Sequence, residues 1–111
     1  VSPAANSEGA KVLTAYFHPA VGRFDDTVAA INSAIKGIHD EPGCQLYAMH
    51  QPAERNHILV LEKWESQAAL DAHSSGSAIQ HLRSALSGLL AQGTDVTVYS
   101  PVPAGNEQGE L

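Results

Sequence analysis

Between residues 12 and 99 the apolar side chains keep changing period, and the order of those changes leaves few folds open. Val12 to Phe17 alternates like a strand, with Leu13, Ala15 and Phe17 on one face and Val12, Thr14 and Tyr16 on the other. Pro19 and Gly22 end it. Phe24, Val28, Ile31, Ile35 and Ile38 then recur at helical spacing, with Asp25 and Asp26 in the first turn, where the helix dipole favours negative charge. Glu41-Pro42-Gly43 breaks that helix. Cys44 to His50 reads as a second strand, Gln51 to Asn56 as a polar hairpin loop, and His57 to Trp64 as a third and most apolar strand. A short helix is expected from about Ser66 to His73, interrupted by Ser74-Ser75-Gly76. Ser77 with Gln80 has the form of a capping box opening a further helix. Ile79, Leu82, Leu86 and Leu89 share one face of it, and Gly93 is the expected stop. Thr94 to Tyr99 forms the fourth strand.

The order β-α-β-β-α-β predicts an α+β fold of the ferredoxin-like kind, with a four-stranded antiparallel sheet. Residues 1–10 are expected to be a loose arm, residues 11–100 the domain, and residues 101–111, with Pro101, Pro103 and Gly105, a tail. The helices of such a fold cover one face of the sheet only. Yet the third strand is apolar on both sides, with Ile58 and Val60 against Leu59 and Leu61. The second repeats this, with Leu46 and Ala48 against Tyr47 and Met49. A second copy of the same sheet is the simplest cover for the open face, which predicts a homodimer with a barrel-like core.

Charge and cysteine content narrow the partners. Six basic residues stand against twelve acidic ones, for a net charge of -6. No basic patch exists to attract nucleic acid or an anionic membrane. No apolar run is long enough to span a bilayer. A single cysteine, Cys44, rules out an internal disulfide and fits a reducing compartment. The first nine residues lack a basic-then-apolar leader pattern, so a cytoplasmic protein is expected, although the missing initiator Met suggests a processed start.

The chemistry-bearing residues cluster after the third strand. His73 follows the tryptophan on the short helix, beside Ala68, Ala69 and Leu70. An imidazole there is a candidate catalytic base near physiological pH, the alternative being a packing histidine bonded to a backbone carbonyl. Trp64, the only tryptophan, offers a flat face for stacking an aromatic ligand, or else closes the end of the core. Glu62 shares a strand face with Val60 and Trp64, where a carboxylate must be paired or protonated. It is a candidate partner for His73, or for a backbone group. Tyr47 and Tyr16 are candidate donors to a phenolate or quinone oxygen, and Tyr99 a weaker one. His50 and His57 flank the hairpin loop without a third metal ligand in reach, and His18, His39 and His81 show no ligand spacing. Cys44 has no nearby charge to activate it. No glycine-rich phosphate loop appears, so no nucleotide cofactor is expected.

Taken in order, Pro42-Gly43-Cys44, Tyr47, Glu62-Lys63-Trp64-Glu65-Ser66, Ala69-Leu70 and His73 resemble the antibiotic biosynthesis monooxygenase domain family over roughly residues 11–100. The resemblance implies a dimeric α+β barrel. It also implies a range of activities, and fold alone does not choose among them. The first expectation is a cofactor-independent monooxygenase of an electron-rich aromatic such as a quinol or anthrone. His73 removes a proton, the anion reacts directly with O2 as co-substrate, and the protein supplies orientation and hydrogen bonds. The alternative is a non-oxidative isomerase or lyase, or a ligand-binding dimer. Haem degradation is disfavoured: His73 stands where those relatives carry a tryptophan, Val12 to Tyr16 holds no asparagine, and Arg83 falls near the axial position, with His81 the nearest imidazole.

Overall fold

A computed structural model describes residues 9–111. The elements run β1 (Lys11–Phe17), α1 (Phe24–His39), β2 (Cys44–His50), β3 (Ile58–Trp64), α2 (Gln67–Ser74), α3 (Ser77–Ala85) and β4 (Asp95–Tyr99), with a 3-10 turn at Glu107–Gly109. The strands form one antiparallel sheet in the order β2-β3-β1-β4. This is the ferredoxin-like α+β arrangement expected from the periodicity.

Pairing register assigns the two faces of the sheet. Leu13, Ala15 and Phe17 of β1 lie opposite Glu62, Val60 and Ile58 of β3, and Tyr47 of β2 lies opposite Glu62 on its other side. These side chains face the helices and meet Ile31, Ala34 and Ile38 of α1, with Leu70, Leu82 and Leu86 beyond. Each of the larger side chains buried here contributes about 1.5–3 kcal/mol relative to exposure. A register shift between Cys44 and Leu46 makes Gln45 a bulge, so Leu46 turns to the outer face while Tyr47 stays inside.

The outer face carries Val12, Leu46, Ala48, Leu59 and Leu61, all only half-buried, beside exposed Tyr16. At the β4 edge Val96 and Val98 are exposed although they point to the helix side, because no helix packs closely over that strand.

Two end signals differ from expectation. The residue capping α3 is Gly76, with no side-chain cap, and Ser77 is the first helical residue, so the Ser77–Gln80 capping box is not formed. Crowding explains the glycine: a Cβ at Gly76 would come 2.9 Å from a Glu41 carboxylate oxygen and 3.1 Å from the Ala72 carbonyl. The helix ends at Ala85 with Leu86 as its cap, well before Gly93, and Gly88 takes the positive φ (78°) that turns the chain away. Leu86 and Leu89 still pack against the core, from turns rather than from a continuing helix. Of the expected arm, residues 1–8 lie outside the described residues. The segment from 101 onward is exposed, and Leu111 accepts a hydrogen bond from the Lys63 amine. Among the described residues, no helix is long and apolar enough to cross a membrane.

Candidate active site

The site is organised around His73, and α2 puts it there. Ser66 caps the helix by accepting a hydrogen bond from the Ala69 amide at 3.1 Å, which sets the phase of the turns that follow. Leu70, His73 and Ser74 then fall at i, i+3 and i+4 and share one face. They line a cavity of about 320 Å³ between the sheet and the helices. Leu13, Ala15, Phe17 and Val96 line its sheet side, with Ile79, Leu82 and Leu86 opposite. The polar groups reaching it include Tyr47, Glu62, His73 and Arg83. Volume and lining suit a small, largely apolar ligand fixed by few polar contacts.

One ring nitrogen of His73 is hydrogen-bonded to a carboxylate, and the other has a carboxyl group nearby but beyond hydrogen-bond reach. Nδ1 is 2.7 Å from Glu41 Oε1, and Nε2 is 3.9 Å from Glu62 Oε1. The closer partner comes from a turn. The Cys44 amide donates to the Glu41 carbonyl at 3.1 Å, Pro42 and Gly43 occupy the central positions, and Gly43 has φ 84°. That is a type II turn, in which proline presets the first central residue and glycine tolerates the second. Gly43 is required twice over, because a Cβ there would sit 2.5 Å from Ala69 Cβ. The turn is thereby pressed against the start of α2 and delivers the Glu41 side chain to the helix's far end.

Glu62 is 5% exposed and Trp64 wholly buried. The Trp64 indole donates its Nε1–H to Glu62 Oε1 at 3.0 Å. Burial pushes the Glu62 carboxyl above the usual carboxylate range, with the Trp64 hydrogen bond and the His73 charge opposing it and Glu41 adding to it. Burial, reinforced by the charge of Glu62, likewise drives the Tyr47 phenol well above its ordinary value, so Tyr47 is a neutral hydroxyl at physiological pH. Its ring lies 6.2 Å from that of His73.

The expected site residues therefore separate. His73, Glu62 and Tyr47 come together on one cavity. Trp64 does not line it. The indole is stacked on the His73 ring at 4.4 Å between centroids, with the planes 27° apart, so it touches the imidazole where ligand stacking was expected. Tyr16 is on the outer face of the sheet, 5.5 Å from the His57 ring, and has no access to this cavity, because alternation along β1 turns it away from Ala15 and Phe17. His50, at the hairpin end of β2, pairs opposite Leu59. Glu41 was legible only as part of a helix break, and its link to His73, across 32 residues of sequence, is a product of folding. An acidic residue opening a Pro-Gly turn was the one available signal.

Residues 12–85 match the sequence model of the family described as antibiotic biosynthesis monooxygenase. The chain belongs to the antibiotic biosynthesis monooxygenase family. Among members of this family and their structural neighbours, Rv0793 of Mycobacterium tuberculosis, provisionally named a monooxygenase, is 27% identical over 74 residues, covering 67% of this chain and 73% of that protein. Its structure superposes with a TM-score of 0.79, at 24% identity over 87% of this chain and 99% of that one. A conserved protein of Methanosarcina mazei gives a TM-score of 0.77 at 23% identity, covering 86% and 95% of the two chains. A protein of Nitrosomonas europaea, provisionally named an antibiotic biosynthesis monooxygenase, gives 0.77 at 15% identity over 84% and 90%. At these identities the structural likenesses establish the shared fold alone.

Proposed function

We propose that this member of the antibiotic biosynthesis monooxygenase family is a cofactor-independent oxygenase of a small, electron-rich aromatic, a hydroquinone or anthrone. The supporting observation is the cavity: apolar over most of its lining, with a buried imidazole, a neutral phenol and a carboxyl group on one side and Arg83 among the lining residues. The aromatic body rests on Leu13, Ala15, Phe17 and Leu82, while its oxygen accepts hydrogen bonds from Tyr47 and Arg83.

For an anthrone, His73 Nε2 takes a proton from the ring methylene and leaves a stabilised carbanion. The carbanion passes one electron to O2, and the radical pair recombines to form a carbon–oxygen bond. The imidazolium returns its proton to the distal oxygen, giving a hydroperoxide. Loss of the second methylene proton breaks the O–O bond, forms the ketone and releases water. One O2 thus supplies the carbonyl oxygen and the water oxygen, and both methylene hydrogens end in the water. The protein's part is to desolvate, orient and hold the proton.

We also propose that the working form is a homodimer paired through the outer face of the sheet, where Leu46, Leu59 and Leu61 lie half-buried. A cytoplasmic setting fits the unpaired thiol of Cys44.

Oxygen uptake with a panel of hydroquinones and anthrones tests the reading. Consumption of O2 in step with product, and a loss of about 10²–10⁴-fold in His73→Ala, is the expected outcome. Turnover at an unchanged rate under anaerobic conditions would refute oxygenation in favour of isomerisation or elimination.

A further inference from the structure

The reaction above uses His73 through Nε2, but the shortest polar contact of His73 points elsewhere. Glu41 Oε1 is 2.7 Å from Nδ1, on the opposite side of the ring from Nε2 and Glu62. Glu41 is not a lining residue of the cavity. Its side chain borders a separate surface groove between α1 and α3, with Ser33, Gly37, Ser77 and His81. The carboxylate therefore touches the base without reaching a ligand held in the cavity.

We propose that Glu41 is the positioning residue of the site, holding the neutral His73 ring with its proton on Nδ1 so that the bare Nε2 is the atom presented to the cavity. A neutral imidazole has one donor and one acceptor nitrogen, and the partner of one decides the state of the other. A carboxylate accepts only, so the nitrogen facing Glu41 must be the donor. The Trp64 indole, stacked on the ring, limits its rotation about the side-chain bonds. Three separate pieces of local sequence converge on this contact. The Pro42-Gly43 turn aims Glu41, the Ser66 cap sets the phase of His73, and Gly76 leaves room for the carboxylate. When Nε2 receives the substrate proton, Glu41 faces the resulting imidazolium across a charge-assisted hydrogen bond until the proton is returned.

This inference refines the base assigned above, and its test does not depend on the substrate. The experiment is a long-range proton–nitrogen correlation spectrum of the uniformly 15N-labelled full chain without ligand, at a pH where the ring is neutral. His73→Asn identifies the signals. The expected wild-type result is a protonated Nδ1 and a bare Nε2. Glu41→Ala should move the proton to Nε2, whereas Glu41→Gln, whose amide can accept from or donate to Nδ1, should keep the fold while removing the charge. A neutral wild-type ring with its proton on Nε2, or a Glu41→Ala ring unchanged from wild type, would overturn the assignment. Where a panel substrate turns over, Glu41→Gln should lower kcat about a hundredfold with KM little altered, since the charge facing the imidazolium is lost. A Gln variant as fast as wild type would reduce Glu41 to a packing partner. Failure of the oxygen-uptake test would leave the ring spectrum standing, and the converse also holds.

Discussion

Trp64 stacks on His73 with the ring centroids 4.4 Å apart, and of the two only His73 meets the cavity. The indole therefore acts on the imidazole and on Glu62, to which it donates, and any ligand is one layer further away. Trp64→Phe should keep most of the stacking and lose the N–H. Turnover should then fall through kcat, with KM nearly unchanged, in steady-state kinetics on a turned-over panel substrate. Stability should drop by about 1–3 kcal/mol in urea unfolding, because a buried carboxyl loses its donor.

Glu62 links stability to pH. Its folded carboxyl is raised above the ordinary value, chiefly by burial. Between the unfolded and folded pKa values the native state binds more protons, so the contribution is fully present below the unfolded pKa and lost as pH rises through the folded one. Glu62→Gln removes this titration. In thermal melts, the Gln variant should gain on wild type as pH rises above the ordinary carboxyl value, and the gain should level off once the folded carboxyl has ionised. A difference in Tm that stays flat, or that shrinks toward pH 8, would contradict the assignment.

Gly43 is strained ground for any other residue. Gly43→Ala places a side chain at φ 84° and brings a Cβ to 2.5 Å from Ala69 Cβ. A loss of about 1–3 kcal/mol is expected from the backbone alone, with more from the clash. Adding Ala69→Gly should recover the Ala69 part of the clash and leave the conformational part together with the 3.0 Å approach to Glu65 Cγ, and a double-mutant cycle in urea isolates the Ala69 part. The same turn aims Glu41, so the single variant should also disturb the His73 ring signals.

The dimer proposal is open to a direct challenge. Leu59→Glu and Leu61→Glu each put a charge on the outer face and leave the core side of β3 untouched. Sedimentation equilibrium should show a dimer for wild type and a shift toward monomer for either variant, with helix and strand content retained by circular dichroism. A wild-type protein that sediments as a monomer at high concentration would remove the paired-sheet arrangement.

Much of the fold was written in local pattern. Alternation marked the strands, helical spacing from Phe24 to Ile38 marked α1, and Ser66 marked the start of α2, because each signal depends on neighbours within a few residues. Local sequence also put His73 on that short helix, beside Leu70. The errors came where a signal had to compete with a distant neighbour. Ser77 and Gln80 had the form of a cap, but the cap is Gly76, whose missing side chain leaves room for the Glu41 carboxylate. The run from Ile79 to Leu89 kept helical spacing beyond the end of the helix, which Gly88 decides.

The sequence by itself determined the element order, the two faces of each strand and the presence of an imidazole, a carboxylate and a phenol on the second and third strands and the helix that follows, since alternation and helical phase are properties of the chain's own backbone. Tertiary structure alone decided that Tyr16 is remote, that Trp64 stacks on His73 where a ligand-stacking role had been expected, and that Glu41 is hydrogen-bonded to His73. Those three outcomes depend on distances between residues far apart in sequence, and such distances come into being only when the turn at Pro42-Gly43, the third strand and the following helix are packed together.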